Sequence, residues 1–243
     1  MLKVYRMRVL ALDTTGRAGS VALVDDGQIV REHAGDASRT HGERLPRELA
    51  ALGAPFASVD VFAVASGPGS FTGLRIGIAT MQGLALVHGR PIAAVSALEA
   101  HAQLASRSAG PGALVACWID AQRGEVFSAL YRVAEAPLFA LERLVELQGA
   151  AVADPSRTLE EWAAYPVQSA IFAGDGAVRY ESVLPVGTSD ARRLSAPIPI
   201  AGAVGCMAAV RAARGLVVPP ESVTALYVRR PDAELHRDRS AQR

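Results

Sequence analysis

The sequence predicts an α/β protein of two lobes, each a mixed sheet flanked by helices. Half of its residues are hydrophobic but only 5% are aromatic. With alanine, glycine and valine abundant, that composition suits helices packed closely on sheets rather than a sandwich of large side chains. Short apolar runs rich in β-branched residues alternate with longer helical patterns. One unit, a strand ending in an acid followed by a polar turn and a second strand, opens residues 7–108 and recurs at the start of residues 109–231. At 243 residues the chain is long enough for two such lobes to share an extensive core.

Residues 9–13 form an apolar strand ending at Asp13, and residues 19–24 a second strand after the turn TTGRA. Asp25-Asp26-Gly27 is a strong hairpin turn leading to a third strand near 28–34. Leu45, Leu49 and Leu52 share one face of a helix closed by Gly53; Pro46 either places its start near Leu45 or kinks it. A strand at 60–65 runs into a glycine-rich turn, and a helix over 72–87 follows, capped by Gly89. Residues 91–95 are a strand and 98–104 a helix, ahead of a linker at 106–112. The second lobe repeats the opening with a strand at 114–119, Asp120, the turn AQRGE and a strand at 126–131. Residues 135–169 carry no motif, a strand at 170–173 runs into Gly174-Asp175-Gly176, an alanine-rich helix covers 201–213 and a final strand 223–228. Residues 232–243 are dense in charge and read as a disordered tail, while Met7 is a candidate natural start with six residues ahead of it.

The most informative stretch is SGPGSFTGLRIGIA at 66–79, where a β-branched apolar run feeds a glycine-rich turn that opens into a helix. The layout resembles a phosphate cradle, since glycines let a backbone come close and helix-start amides favour an anion. A Walker loop needs Lys and then Ser or Thr after its last glycine; here Leu74 and Arg75 follow Gly73, and the only lysine is Lys3. The spacing of Gly67, Gly69 and Gly73 also departs from the dinucleotide fingerprint. A nucleotide cradle and a structural turn packing helix on strand both remain open. Ser66 and Ser70 flank the turn without a nucleophile motif. The following helix is apolar around nearly its whole circumference, so something covers both sides: it is either a central helix of one lobe or it packs on the sheet with one side and a partner with the other.

A net charge of +1 and scattered arginine pairs at 192–193 and 229–230 argue against a free-standing nucleic-acid binder. Cys117 and Cys206 lie in apolar stretches without metal spacing and read as buried free thiols of a cytoplasmic protein. No segment approaches the length of a membrane span.

Two lobes opening alike resemble the duplicated architecture of the actin, Hsp70 and sugar-kinase superfamily, whose acids and glycine turns line the cleft between lobes. More narrowly, LALDTT at 10–15, SVAL at 20–23, SGPGSFTGLRIG at 66–77, VSALEAHA at 95–102, IDAQRGEVFSALY at 119–131, GDG at 174–176 and ALYVR at 225–229 resemble the TsaB (YeaZ) family. The resemblance spans residues 7 to about 229. One departure is visible: the family usually reads DAR and later V-Y where this chain has Asp120-Ala121-Gln122 and Val126-Phe127.

The resemblance implies a non-catalytic cytoplasmic scaffold that activates TsaD in making N6-threonylcarbamoyladenosine in tRNAs decoding ANN codons, with TsaE as the nucleotide-hydrolysing partner. It implies docking to TsaD through two helices of the first lobe, with Leu45, Leu49, Leu52, Leu74, Arg75, Ile78, Met81 and Ala85 as interface residues. The same surface closes on itself as a homodimer when TsaD is absent, and tRNA is met only through the complex. Aligned on the metal-binding helix of TsaD, Ala97 and His101 fall where two histidines stand, so the pair is lost, and neither metal nor cofactor is expected. A vestigial nucleotide cleft would hold Asp13, Thr14, Thr15, Gly67, Gly69, Asp120, Gly174, Asp175 and Gly176, whose blander role is to satisfy turn amides. The alternative is an active small-molecule kinase or ATPase using that cleft, with Asp13 and Asp120 on magnesium.

Overall fold

The computed structural model describes residues 7–185 and 198–229. The expected tail at 232–243, the six residues ahead of Met7 and the arginine pair at 192–193 lie outside them. Two mixed sheets organise the chain. The first contains β1 (Arg8–Asp13), β2 (Ser20–Asp25), β3 (Gln28–Ala34), β4 (Val61–Gly67) and β5 (Ile92–Ser96), in the order β3-β2-β1-β4-β5. The second contains β6 (Leu114–Asp120), β7 (Val126–Val133), β8 (Leu144–Ala153) and β9 (Ile171–Ala173), in the order β8-β7-β6-β9. In each, the first strand pairs antiparallel with the second and parallel with a later one on its other side, so the repeated opening unit becomes a repeated sheet topology. Asp26 and Gly27 both adopt positive φ, 51° and 74°, which is the twist a two-residue hairpin needs.

Strand alternation sorts the first sheet's side chains onto two faces. Leu10, Leu12, Val21, Phe62 and Val64 point to one side, where α1 (His41–Ala51) and α2 (Phe71–His88) cover them. Val9, Ala11, Ala22, Val24 and Ala63 point to the other, where α3 (Ala97–Ala105) and α6 (Ala201–Ala213) pack. Small residues on that second face allow close approach: a Cβ on Gly205 of α6 would lie 2.6 Å from Val24 and 3.2 Å from Ala11. The same layer of α3 and α6 also covers Val115, Cys117, Ala129 and Tyr131 of the second sheet, so one core runs between the two sheets. The far face of the second sheet holds Trp118, Leu130 and Phe172 against Trp162, Val167 and Ala177, supplied by α4 (Pro155–Glu161), α5 (Asp175–Arg179) and the segment between them. Although α6 follows the second lobe in sequence, it is tied to the first sheet: Ser20 Oγ accepts from the amides of Ile200 and Ala201, and the Glu32 carboxylate from that of Gly202.

Two local expectations are corrected. α1 starts at His41 rather than Leu45, because the Glu43 carboxylate accepts from both the amide and the hydroxyl of Thr40 at 2.9 and 2.8 Å, and Pro46 is carried inside the helix. Residues 223–228 do not form a strand; they run extended after Pro219 and Pro220, held by one backbone bond from Leu226 N to Ser66 O (2.7 Å) and by side chains. The motif-free stretch 135–169 contains both β8 and α4.

Candidate functional site

The glycine-rich turn between β4 and α2 is fitted to the chain's own backbone. A Cβ on Gly73 would overlap the Thr14 carbonyl oxygen, and one on Gly77 the Thr14 hydroxyl. One on Gly69 would stand 2.6 Å from Thr15, and one on Gly67, where φ is 121°, 2.8 Å from the Leu226 carbonyl oxygen. Polar groups follow the same pattern: Ser70 N donates to Thr15 O at 2.8 Å, Thr14 Oγ1 to Gly73 O at 2.8 Å, and Gly73 N to Ser70 Oγ at 3.2 Å, which caps α2. Gly73 and Gly77, spaced four apart, therefore admit Thr14 rather than a second helix.

A cleft of about 1060 Å³ opens beside this turn. Of the nine residues expected to line a nucleotide cleft, Thr15, Gly69, Asp120 and Asp175 do. Asp13 and Thr14 are buried beneath the turn, Gly67 lies against Leu226, and Gly174 and Gly176 pack against the Trp118–Ile119 backbone where α5 begins. Each acid accepts from a backbone amide near a strand end. Asp13 Oδ1 accepts from Thr15 N and Thr15 Oγ1 at 2.8 and 2.6 Å. Asp120 accepts from Gln122 N at 3.0 Å and Gln122 Nε2 at 2.8 Å, with Arg179 at 3.6 Å. Asp175 Oδ1 accepts from Asp120 N at 2.9 Å, and burial raises its pKa. Among the described residues, no three His, Cys, Asp or Glu side chains gather where they could hold a metal ion, and no helix is long and apolar enough to cross a membrane.

Beneath the cleft, burial raises the pKa of Asp13, opposed by its bonds from Thr15, while burial lowers that of His101 on α3, opposed by the Asp13 charge. His101 is thus a half-buried neighbour of Asp13. A second cluster was not anticipated from the sequence. Arg44 is 3% exposed; its Nη1 donates to both Glu48 oxygens at 2.7 and 2.6 Å, and its Nη2 contacts His41 Nδ1 at 2.5 Å. A guanidinium only donates, so His41 Nδ1 accepts and the ring is neutral with its proton on Nε2. Burial and the Arg44 charge accordingly hold its pKa below the usual histidine value. The sequence signal was available in the spacing of His41, Arg44 and Glu48 on one helix face.

The eight residues expected at a partner interface divide sharply. Leu45, Leu49, Leu52, Leu74, Ile78, Met81 and Ala85 are all buried inside the chain, with Ile78 the most accessible at 7%. Only Arg75 is exposed, its guanidinium 4.0 Å over the Phe71 ring. The outward face of α2 consists instead of Phe71, Thr72, Arg75, Ala79, Gly83, Leu86 and Val87, and Leu86 and Val87 are 71% and 78% exposed. The near-uniform apolarity of α2 is thereby explained: one face belongs to the core, and the other carries apolar and small groups into solvent.

The family model of TsaD, tRNA N6-adenosine threonylcarbamoyltransferase, matches residues 32–183, more than half of the chain. The chain is 44% identical over 130 residues to the tRNA threonylcarbamoyladenosine biosynthesis protein TsaB of Escherichia coli (strain K12), a match covering 52% of this chain and 55% of that protein. It is 32% identical over 159 residues to TsaB of Bacillus subtilis (strain 168), covering 64% of this chain and 67% of that one. The matches thus span roughly half to two thirds of these curated relatives. Among solved structures, a Pseudomonas aeruginosa protein described as similar to peptidase YeaZ superposes with a TM-score of 0.73 at 33% identity, over 92% of this chain and all of that one. YeaZ from Pseudomonas aeruginosa superposes with a TM-score of 0.70 at 31% identity, over 90% of this chain and all of that one. With its two actin-like lobes and these relatives, the chain belongs to the TsaB (YeaZ) family.

Proposed function

We propose that the chain is a non-catalytic subunit in the synthesis of N6-threonylcarbamoyladenosine in tRNA, binding and ordering TsaD, with TsaE joining the pair. The observation that carries this reading is the glycine turn: its close approaches are filled by Thr14, Thr15 and Leu226, and the neighbouring acids accept from nearby backbone amides. The names of the curated relatives supply the pathway. The docking surface is the outward face of α2 with the adjacent face of α1, where Arg47 and Ala50 are exposed. This replaces the buried stripe of Leu74, Ile78, Met81 and Ala85, which is occupied by the first lobe's own core. An interface of this kind has an apolar centre and needs little rearrangement to form.

Reconstitution tests the reading. The isolated chain shows no turnover, and adding it to TsaD, TsaE and the adenylate-forming enzyme stimulates threonylcarbamoyl transfer to tRNA. Transfer at the same rate without the chain contradicts the reading. The open cleft, with Asp120 and Asp175 on its wall, favours a second reading as a small-molecule kinase or ATPase. Phosphoryl transfer by the isolated chain, lost in Asp13→Ala, would decide for it.

A further inference from the structure

The last described segment joins the two lobes across the mouth of the cleft. After α6, Val218 pairs with Ile92 at the edge of β5, donating at 3.0 Å and accepting at 2.9 Å. Gln82 on α2 then donates to the Pro220 and Val223 carbonyls at 2.8 and 3.1 Å. Leu226 N donates to Ser66 O at 2.7 Å, and Tyr227 lies against Phe71, ring centroids 5.3 Å apart, while Arg75 Nε donates to its hydroxyl at 3.3 Å. Up to this point every one of these attachments is to the first lobe. Arg229 crosses over: Nη1 donates to the Ala121 carbonyl at 2.7 Å, Nη2 forms an ion pair with Glu125, and the guanidinium lies 5.6 Å from the Phe127 ring. Ala121 and Glu125 belong to the turn after β6 that forms the cleft's second wall, and Tyr227 and Arg229 themselves line the cleft.

The opposite side of the cleft is different in kind. There α3 and α6 sit between the two sheets in a continuous apolar core, which resists separation. The geometry points to residues 218–229 as a clasp that sets the opening of the inter-lobe cleft, with Arg229 as its catch and the α3–α6 layer as its hinge. The asymmetry of attachment fixes which end releases. The first-lobe end is held by several backbone and side-chain bonds. Among the described residues, the polar contacts of the second-lobe end come from Arg229, a side chain that is 23% accessible, on a carboxylate that is 39% accessible, so water competes for both. Release of Arg229 frees the second wall and leaves the clasp lying on α2. The clasp follows from this chain's own contacts and is independent of any partner.

The test uses the full chain with spin labels at Ala37→Cys and Arg123→Cys, which line opposite walls of the cleft; Cys117 and Cys206 are buried and stay unlabelled. In Arg229→Glu, charge repulsion from Glu125 shifts the inter-label distance distribution to longer values and broadens it. The charge swap Arg229→Glu with Glu125→Arg returns it toward the wild-type distribution. Glu125→Gln, which leaves the clasp itself untouched, broadens it in the same direction and serves if Arg229→Glu fails to fold by circular dichroism. Distributions in folded Arg229→Glu and Glu125→Gln that superpose on the wild type would overturn the clasp.

Discussion

Thr14 donates its hydroxyl to the Gly73 carbonyl at 2.8 Å, and its own carbonyl oxygen occupies the space where a Cβ on Gly73 would stand. The turn that looks like a phosphate cradle is thus a mutual fit between two stretches of one lobe, the end of β1 and the start of α2. Its glycines serve close backbone approach, the other use to which a glycine-rich turn is put.

Two alanine substitutions on the same helix separate these roles. Gly73→Ala forces a backbone clash and should cost about 1–3 kcal/mol of stability. Gly83→Ala, with nothing within 4 Å of the added Cβ, should stabilise by up to about 1 kcal/mol because it reduces the freedom of the unfolded chain. Urea unfolding of both variants measures the contrast; equal effects would remove the argument for the turn.

Ile78→Arg should behave as a core lesion. At 7% exposure, inside the first lobe's core, the new charge loses most of its hydration, which places the cost at about 3 kcal/mol or more. The expected outcome is a lowered denaturant midpoint, seen without any partner present. An Ile78→Arg chain as stable as the wild type would return this stripe to the surface.

Stability should fall on acidification below about pH 6.5 in a way that depends on His41. Its folded pKa is held below the ordinary histidine value of about 6.5 by burial and by Arg44. Below that value the unfolded chain takes up a proton that the folded chain refuses, so stability is full above it and drains as pH falls towards the folded pKa. The raised carboxylates Asp13, Glu32, Glu99 and Asp175 act in the opposite sense, losing stability as pH rises through their range. The clean readout is therefore a difference: His41→Asn should show a shallower loss than wild type between pH 7 and 5.5 in parallel melts, and identical slopes would contradict the neutral ring.

Asp13→Asn should leave threonylcarbamoyl transfer by the reconstituted proteins within a few-fold of wild type. The carboxylate is buried, does not line the cleft and accepts from Thr15 through one oxygen, a role an amide oxygen fills. A large loss of transfer with unchanged stability would contradict a purely structural role for Asp13.

Much of this was legible in the sequence. The two-lobe repeat, the hairpin at Asp26-Gly27 and the extent of α2 follow from turn chemistry and from runs that are apolar enough to be buried on both faces. What failed has identifiable causes. In α2 every register of the helix presents an apolar face, so periodicity carries no information about which side meets the sheet and which side is left for a partner. β8 is an edge strand with no clean alternation in burial, and its LVELQGAAVA sequence mixes helix and strand formers. Residues 223–228 have the composition of a strand, but Gln82 and Ser66 hold them as a strap rather than in a ladder. A buried arginine such as Arg44 is rare enough that composition does not point to it, although Glu48 one turn on supplies the partner that permits it.

The central claim is that the outward face of α2 is where TsaD docks. Titration calorimetry of the chain against TsaD from the same host tests it most directly, using Ala79→Arg and Leu86→Arg, both at exposed positions. The account predicts that each variant melts as the wild type does and binds TsaD at least about 30-fold more weakly, a loss of roughly 2 kcal/mol. Wild-type affinity in both variants would contradict it.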